Sequence, residues 1–218
     1  MRVRTSMWPS VLLVVFVAGG CTSTSEGSPQ PVPERPTSDT STTTTSTESG
    51  GAGEDALPYA GAPAVRDPLD TEQFQQDPCR ALTTTQTDAL NVGSPGLLRD
   101  GGLGMACEFR GRADRGALVE VASLDENPRG VSAIYRAEED GKLAFFEPMD
   151  PVEGYPAVAY GVLDYRKDGE CSVVIGTSDE IAFEIVLHLS SKNVGKKDPC
   201  DTAAMVAGKV LQTMKAAQ

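Results

Sequence analysis

His188 and two runs of carboxylates are the side chains of this sequence with chemistry beyond packing. His188 is the only histidine, so a Ser–His–Asp arrangement has to be built on it. Such an arrangement often sets its serine on a sharp turn, and no G-x-S-x-G elbow occurs. In "EIAFEIVLHLSS", Ile181, Phe183, Ile185, Leu187 and Leu189 fall on one side and Glu184, His188 and Ser190 on the other. That alternation puts the histidine on the polar face of a half-buried strand. A histidine-based metal site lacks its second histidine. The acids of "AEED" at residues 137–140, and Glu147, Asp150 and Glu153 of "FEPMDPVEG", are of the type that cleaves glycosidic bonds in pairs. The first run closes a helix and faces water. "DGGLGMAC" has glycines but neither the spacing nor the lysine of a phosphate loop, and reads as a turn. The sequence therefore predicts no catalytic residue, no metal and no cofactor.

Binding is better served. In "GYPAV" Gly154 and Pro156 fix the backbone, and Tyr155 offers a ring with a polar tip. With Phe146 and Tyr160 close in sequence, Tyr155 is a candidate to line a ligand cleft. The reading given more weight is a tight loop with Tyr155 packed beneath it, the usual fate of an aromatic ring.

Cys21 is a different kind of site. Arg2 and Arg4 start the chain, residues 11–18 are an apolar core, and Ala18, Gly19 and Gly20 precede the cysteine. This is the form of a signal peptide, with a core too short to span a bilayer. "VAGGC" resembles a bacterial lipobox, which implies a Cys21 that is acylated and left as the first residue after cleavage of residues 1–20. Acyl chains hold a protein by burying CH₂ groups, about 0.8 kcal/mol each.

These residues need elements to position them. The 218-residue chain is 39% hydrophobic with a net charge of −12. That length suits one medium domain with a tail, and the acidic balance argues against nucleic acid. Residues 21–71 form the tail: "TSDTSTTTTSTESGGAGED" has almost no large apolar residue to offset ordering entropy, and Pro58, Pro63 and Pro68 favour extended chain. The folded domain is expected over 72–218. "DPC" occurs at residues 77–79 and 198–200, each reading as an aspartate cap followed by proline in the first helical turn. Thr83 and Gln86 make a capping box for a helix ending at Asn91–Gly93. Asn127 caps and Pro128 opens a helix that Gly141 stops. Ala203, Val206, Ala207, Val210 and Met214 mark a closing helix. "MACEFRG" and "ALVEVASL" pair around "RADRG", and "AVAYGVLDY", "CSVVIGTS" and "EIAFEIVLHLSS" follow as strands. The fold class predicted is α+β, an antiparallel sheet of about five strands with helices packed on one face.

Cys79, Cys107, Cys171 and Cys200 read as two disulfides, with three connectivities open. The favoured pairing is Cys79–Cys107 with Cys171–Cys200, each tying the start of a helix to a strand and closing a loop of about 30 residues, worth about 3 kcal/mol.

The lipobox-like start, the Ser/Thr tail, the two "DPC" sites, "CEF", "FEPMDPVEGYPAV" and "ECSVVIGTSD" together resemble the actinobacterial lipoproteins of the Domain of Unknown Function 3558 family, over residues 76–214. The resemblance implies an envelope lipoprotein with two disulfides and brings no activity. The expected function is a non-catalytic ligand-binding or sensing module, held by its lipid on the outer face of the cytoplasmic membrane. Its expected ligand is an envelope lipid or glycan, or its partner a membrane protein. The alternatives are a cell-wall glycan hydrolase using the acidic loops and an accessory subunit of a membrane complex.

Overall fold

Seven antiparallel strands run in the order β1-β2-β3-β7-β6-β5-β4 in a computed structural model that describes residues 56–111 and 116–218. They are β1 (Leu97–Asp100), β2 (Met105–Arg110), β3 (Leu118–Ser123), β4 (Phe145–Pro148), β5 (Ala157–Gly161), β6 (Glu170–Gly176) and β7 (Ala182–His188). Two meanders, β1–β3 and β4–β7, meet at the β3/β7 seam. Cys21, the predicted signal peptide, most of the predicted tail and the tip of the β2–β3 hairpin lie outside the described residues. Among the described residues no helix is long and apolar enough to cross a membrane.

The five strands expected from alternation are β2, β3, β5, β6 and β7. The two additional ones are the edges. Each is four residues long, and neither alternates: β1 is "LLRD", exposed throughout, and β4 is "FFEP". An edge strand buries little, so it has little pattern to read.

The helices are α1 (Glu72–Gln76), α2 (Thr84–Leu90), α3 (Ser132–Glu139) and α4 (Pro199–Lys215). The Thr83–Gln86 capping box is formed, and Asn91 ends α2 in the left-handed conformation. Asp198 accepts from the amides of Cys200 and Asp201, which opens α4 as its sequence predicts. Asp77 accepts from Cys79 at the head of a 3₁₀ turn, Pro78–Ala81. The start of α3 differs from expectation. Asn127 and Pro128 precede it without capping it, because Gly130 (φ +50°) breaks the helical run and donates its amide to Glu180 O. Helix therefore begins only at Ser132.

Helices on one face is a further expectation that the structure corrects. On one face Cys107, Val121, Ile185, Val173 and Ala159 align across five strands and join a core with Val206, Val210, Leu211 and Met214 of α4, all buried. Burying each such side chain contributes roughly 1.5–3 kcal/mol. On the opposite face Val158, Val174 and Ala182 pack against Val131 and Ile134, so α3 covers part of that side. The domain also begins before Glu72. Residues 56–71 have no helix or strand, yet Ala62 and Val65 are buried. The Tyr59 amide donates to Ser132 Oγ, and that of Leu69 to Thr177 O. An extended, proline-rich segment can pack on a sheet without forming an element of its own.

Both disulfides have the favoured pairing: Cys79–Cys107, Cα atoms 5.0 Å apart, and Cys171–Cys200, 5.1 Å apart.

Candidate ligand groove

The face that α3 half covers carries the most unusual polar residues. A single row of aligned positions crosses the whole sheet: Leu97, Glu108, Glu120, Val186, Ser172, Tyr160 and Phe146. α3 and Ala62 pack on the Val158, Val174 and Ala182 side of this face, and in the row itself Glu108 is buried while Glu120, Val186, Ser172 and Tyr160 are half-buried. Tyr160 Oη donates to Glu184 Oε1 at 2.7 Å. Burial pushes the Glu184 carboxyl above its ordinary pKa, opposed by hydrogen bonds from Tyr160 and Ser172 and reinforced by the Glu120 charge. The Tyr160 phenol is pushed up as well, first by burial and then by Glu184, so it stays a donor.

Two hollows flank this pair. The more polar one, about 280 Å³, is lined by Tyr160, Ser172, Glu184 and Glu170, with a largely apolar wall of Phe145, Val162, Leu163 and Tyr165. The smaller one, about 140 Å³, is apolar and lies between α3 and the β1–β2 turn, with Leu103, Leu124, Ala133 and Ile134 around it. Tyr160 lines both. The polar hollow suits a sugar ring or a small head group, since drug-sized ligands need about 300 Å³ or more. Its fixed groups are mostly acceptors, so it matches ligands that present O–H or N–H donors.

The wall is held by Arg166. Its guanidinium donates to Asp164 through Nε and Nη2, pairs with Glu147, and lies 4.0 Å from the centre of the Phe145 ring. The hydrogen bond from Arg166 holds the Asp164 carboxyl down at about 2.

Of the three aromatics predicted to bind ligand, only Tyr160 has that position. Tyr155 is 6% exposed and packs under its loop, its hydroxyl donating to Asp67 O at 2.9 Å. Phe146 is half-buried and packs edge-to-face on Tyr135, centroids 4.9 Å apart. The predicted acids do not converge on a hollow: Glu147 pairs with Arg166, and Glu153 with Lys215. His188 is on the polar face, as expected, with Nδ1 3.3 Å from Glu170 Oε2. Among the described residues no three of His, Cys, Asp and Glu form a group that could hold a metal ion. Glu184, Ser172 and Glu170 were beyond the sequence reading. The one available signal was a glutamate in a central strand between Phe183 and Ile185.

A family model described as "Protein of unknown function (DUF3558)" matches residues 16–213. No curated protein and no solved structure matches. The matched span takes in all seven strands and both disulfides, and the chain belongs to this DUF3558 family.

Proposed function

We propose that the protein is an envelope lipoprotein, acylated at Cys21 and held on the outer face of the cytoplasmic membrane, whose domain binds or senses a small envelope ligand without transforming it. The observation that carries this reading is the Tyr160–Glu184 pair between a polar and an apolar hollow. The ligand has hydroxyl or amine donors for Glu184 and Glu170 and an apolar portion for the Leu103 side, as a glycolipid or lipid-linked sugar does. The apolar run before Cys21 and the small residues beside it support the anchor, and that cysteine lies inside the family match.

The hydrolase reading draws on one feature, the raised pKa of Glu184 beside a hollow. It also needs a second carboxylate across the bond, with the two carboxyl groups roughly 5–9.5 Å apart. Glu170, the other acid of the hollow, faces His188. Binding is the simpler use of the pair.

Native mass spectrometry of the protein recovered from its own envelope tests the reading. A bound lipid or glycan, lost in Glu184→Gln, supports it. A bare monomer turns the search to protein partners. Cys21→Ala is expected to release the protein from membranes, and unchanged retention removes the lipid anchor.

A further inference from the structure

Glu108, Glu120 and Glu184 share the sheet face that bears the two hollows. Two of them have a cation: Glu108 pairs with Arg110, and Glu120 with Arg99. Glu184 forms no ion pair with a described residue. Its partners are the neutral hydroxyls of Tyr160 and Ser172, and the Glu120 charge works against its ionisation. No Lys, Arg or His is among the described residues that line the more polar hollow with it. The other carboxylate there, Glu170, is paired with His188. Phe145, Tyr160 and Tyr165 bring three aromatic rings to the same space. Arg166 lies on the Phe145 ring but is taken by Asp164 and Glu147.

We infer that the ligand of this hollow carries a protonated amine, and that its ammonium is the counter-ion of Glu184. The inference rests on the ligand-binding reading above and names the group that is bound. A carboxylate withdrawn from water is costly without an opposite charge beside it. Glu108 and Glu120 have that charge from the chain itself, and Glu184 has it only when the ligand arrives. Burial raises the Glu184 pKa in the unliganded protein, and an ammonium beside it favours the ionised form. The rings act in the same direction, since aromatic faces attract cations. A neutral sugar offers Glu184 hydrogen bonds without charge. A phosphate or carboxylate meets two acids and no cation. An amino sugar and an ethanolamine head group both present the required ammonium.

The test is a titration of the full chain, followed by its amide chemical shifts, near neutral pH and at matched ionic strength. The probes are glucosamine, glucose, glucuronic acid and ethanolamine. Glucosamine should bind about tenfold more tightly than glucose and shift the amides around Tyr160, Ser172 and Glu184, and glucuronic acid should not bind. Glu184→Gln retains an acceptor for both hydroxyls and removes the charge, so it should bring glucosamine down to the affinity of glucose. Tyr165 is 45% exposed, so Tyr165→Ala should leave the melting temperature unchanged while weakening glucosamine severalfold. Ethanolamine binding as tightly as glucosamine supports the inference with a head group as the source of the amine. Ethanolamine binding more weakly supports it with an amino sugar. Glucose binding as tightly as glucosamine overturns the inference and leaves the binding reading standing. Glucosamine binding to Glu184→Gln as it does to the parent overturns it as well, as does the absence of any shift around the hollow with either amine.

Discussion

Tyr160 on β5 reaches over β6 to Glu184 on β7, a hydrogen bond of 2.7 Å between strands that are not neighbours. Ser172 lies beside Tyr160 on the intervening strand and adds a second hydrogen bond to the same carboxylate. The pair ties three strands on the face where α3 gives only partial cover.

Removing the phenol hydroxyl leaves a half-buried carboxylate short of one donor. Tyr160→Phe is expected to cost about 1–2 kcal/mol near neutral pH. Urea unfolding of the two proteins measures it, and equal midpoints would show the bond to be without net worth.

Glu184 also makes stability depend on pH. Burial raises its pKa in the folded state, so the folded protein holds that proton more tightly than the unfolded chain. The stability this contributes is full below the ordinary carboxylate pKa of about 4.3 and is lost as pH rises through the raised value. Glu184→Gln keeps the shape and removes the titration. It should flatten this fall in a series of melts starting near pH 4 and ending near pH 8. A parent that gains as much stability over that range as the variant contradicts the assignment.

Arg166 fastens the loop that walls the polar hollow, through Asp164, Glu147 and the Phe145 ring. In Arg166→Gln the amides of residues 162–168 should exchange with deuterium faster while those of β6 and β7 keep their rates. Uniform acceleration would mean global destabilisation and no local latch.

Each disulfide closes a loop with a sequence separation of 28 or 29. Replacing either pair by alanines should cost about 3–4 kcal/mol through the entropy of the unfolded chain. Denaturant titration of Cys79→Ala/Cys107→Ala and Cys171→Ala/Cys200→Ala compares them, and a loss below about 1 kcal/mol for either would set that staple aside as ornamental.

Ser190 has a buried hydroxyl without a hydrogen-bond partner among the described residues. An unmet buried donor is costly, so Ser190→Ala should raise stability by about 1 kcal/mol. A lower melting temperature in the variant would contradict this.

The inner strands and the two aspartate-capped turns were legible because burial on one side leaves alternation, and a cap has a fixed residue pattern. Burial on both sides of β5 and β6 was legible only as apolar runs, and this is why α3 was expected on the same face as α4. Gly130 shows the limit of cap reading. Asn127-Pro128 is a sound helix opening by itself, yet the glycine two residues on takes the left-handed conformation against Asp179. Tyr160 was found as a nearby aromatic. Tyr155 carried two readings because a ring in a turn has the same sequence whether it points out or in, and the structure has the packed one. Glu184 was placed on the right face of its strand, but its meaning depends on Tyr160, twenty-four residues earlier, and on where α3 stops. No local pattern holds that information.

The pairing of the cysteines, first with second and third with fourth in the folded domain, bears on how the proposed envelope protein would mature. A chain that emerges N-terminus first presents Cys79 and Cys107 before Cys171 has appeared. An oxidant that joins thiols in order of arrival makes the native bond, and the last two cysteines then have only each other. The one thiol that disturbs this order is Cys21, which emerges earliest of all and could capture Cys79 or Cys107 in a wrong bridge. On the lipoprotein reading proposed above, acylation of Cys21 would take it out of the competition. Modification at that position would then serve oxidative maturation as well as anchorage, by leaving an even number of thiols to pair.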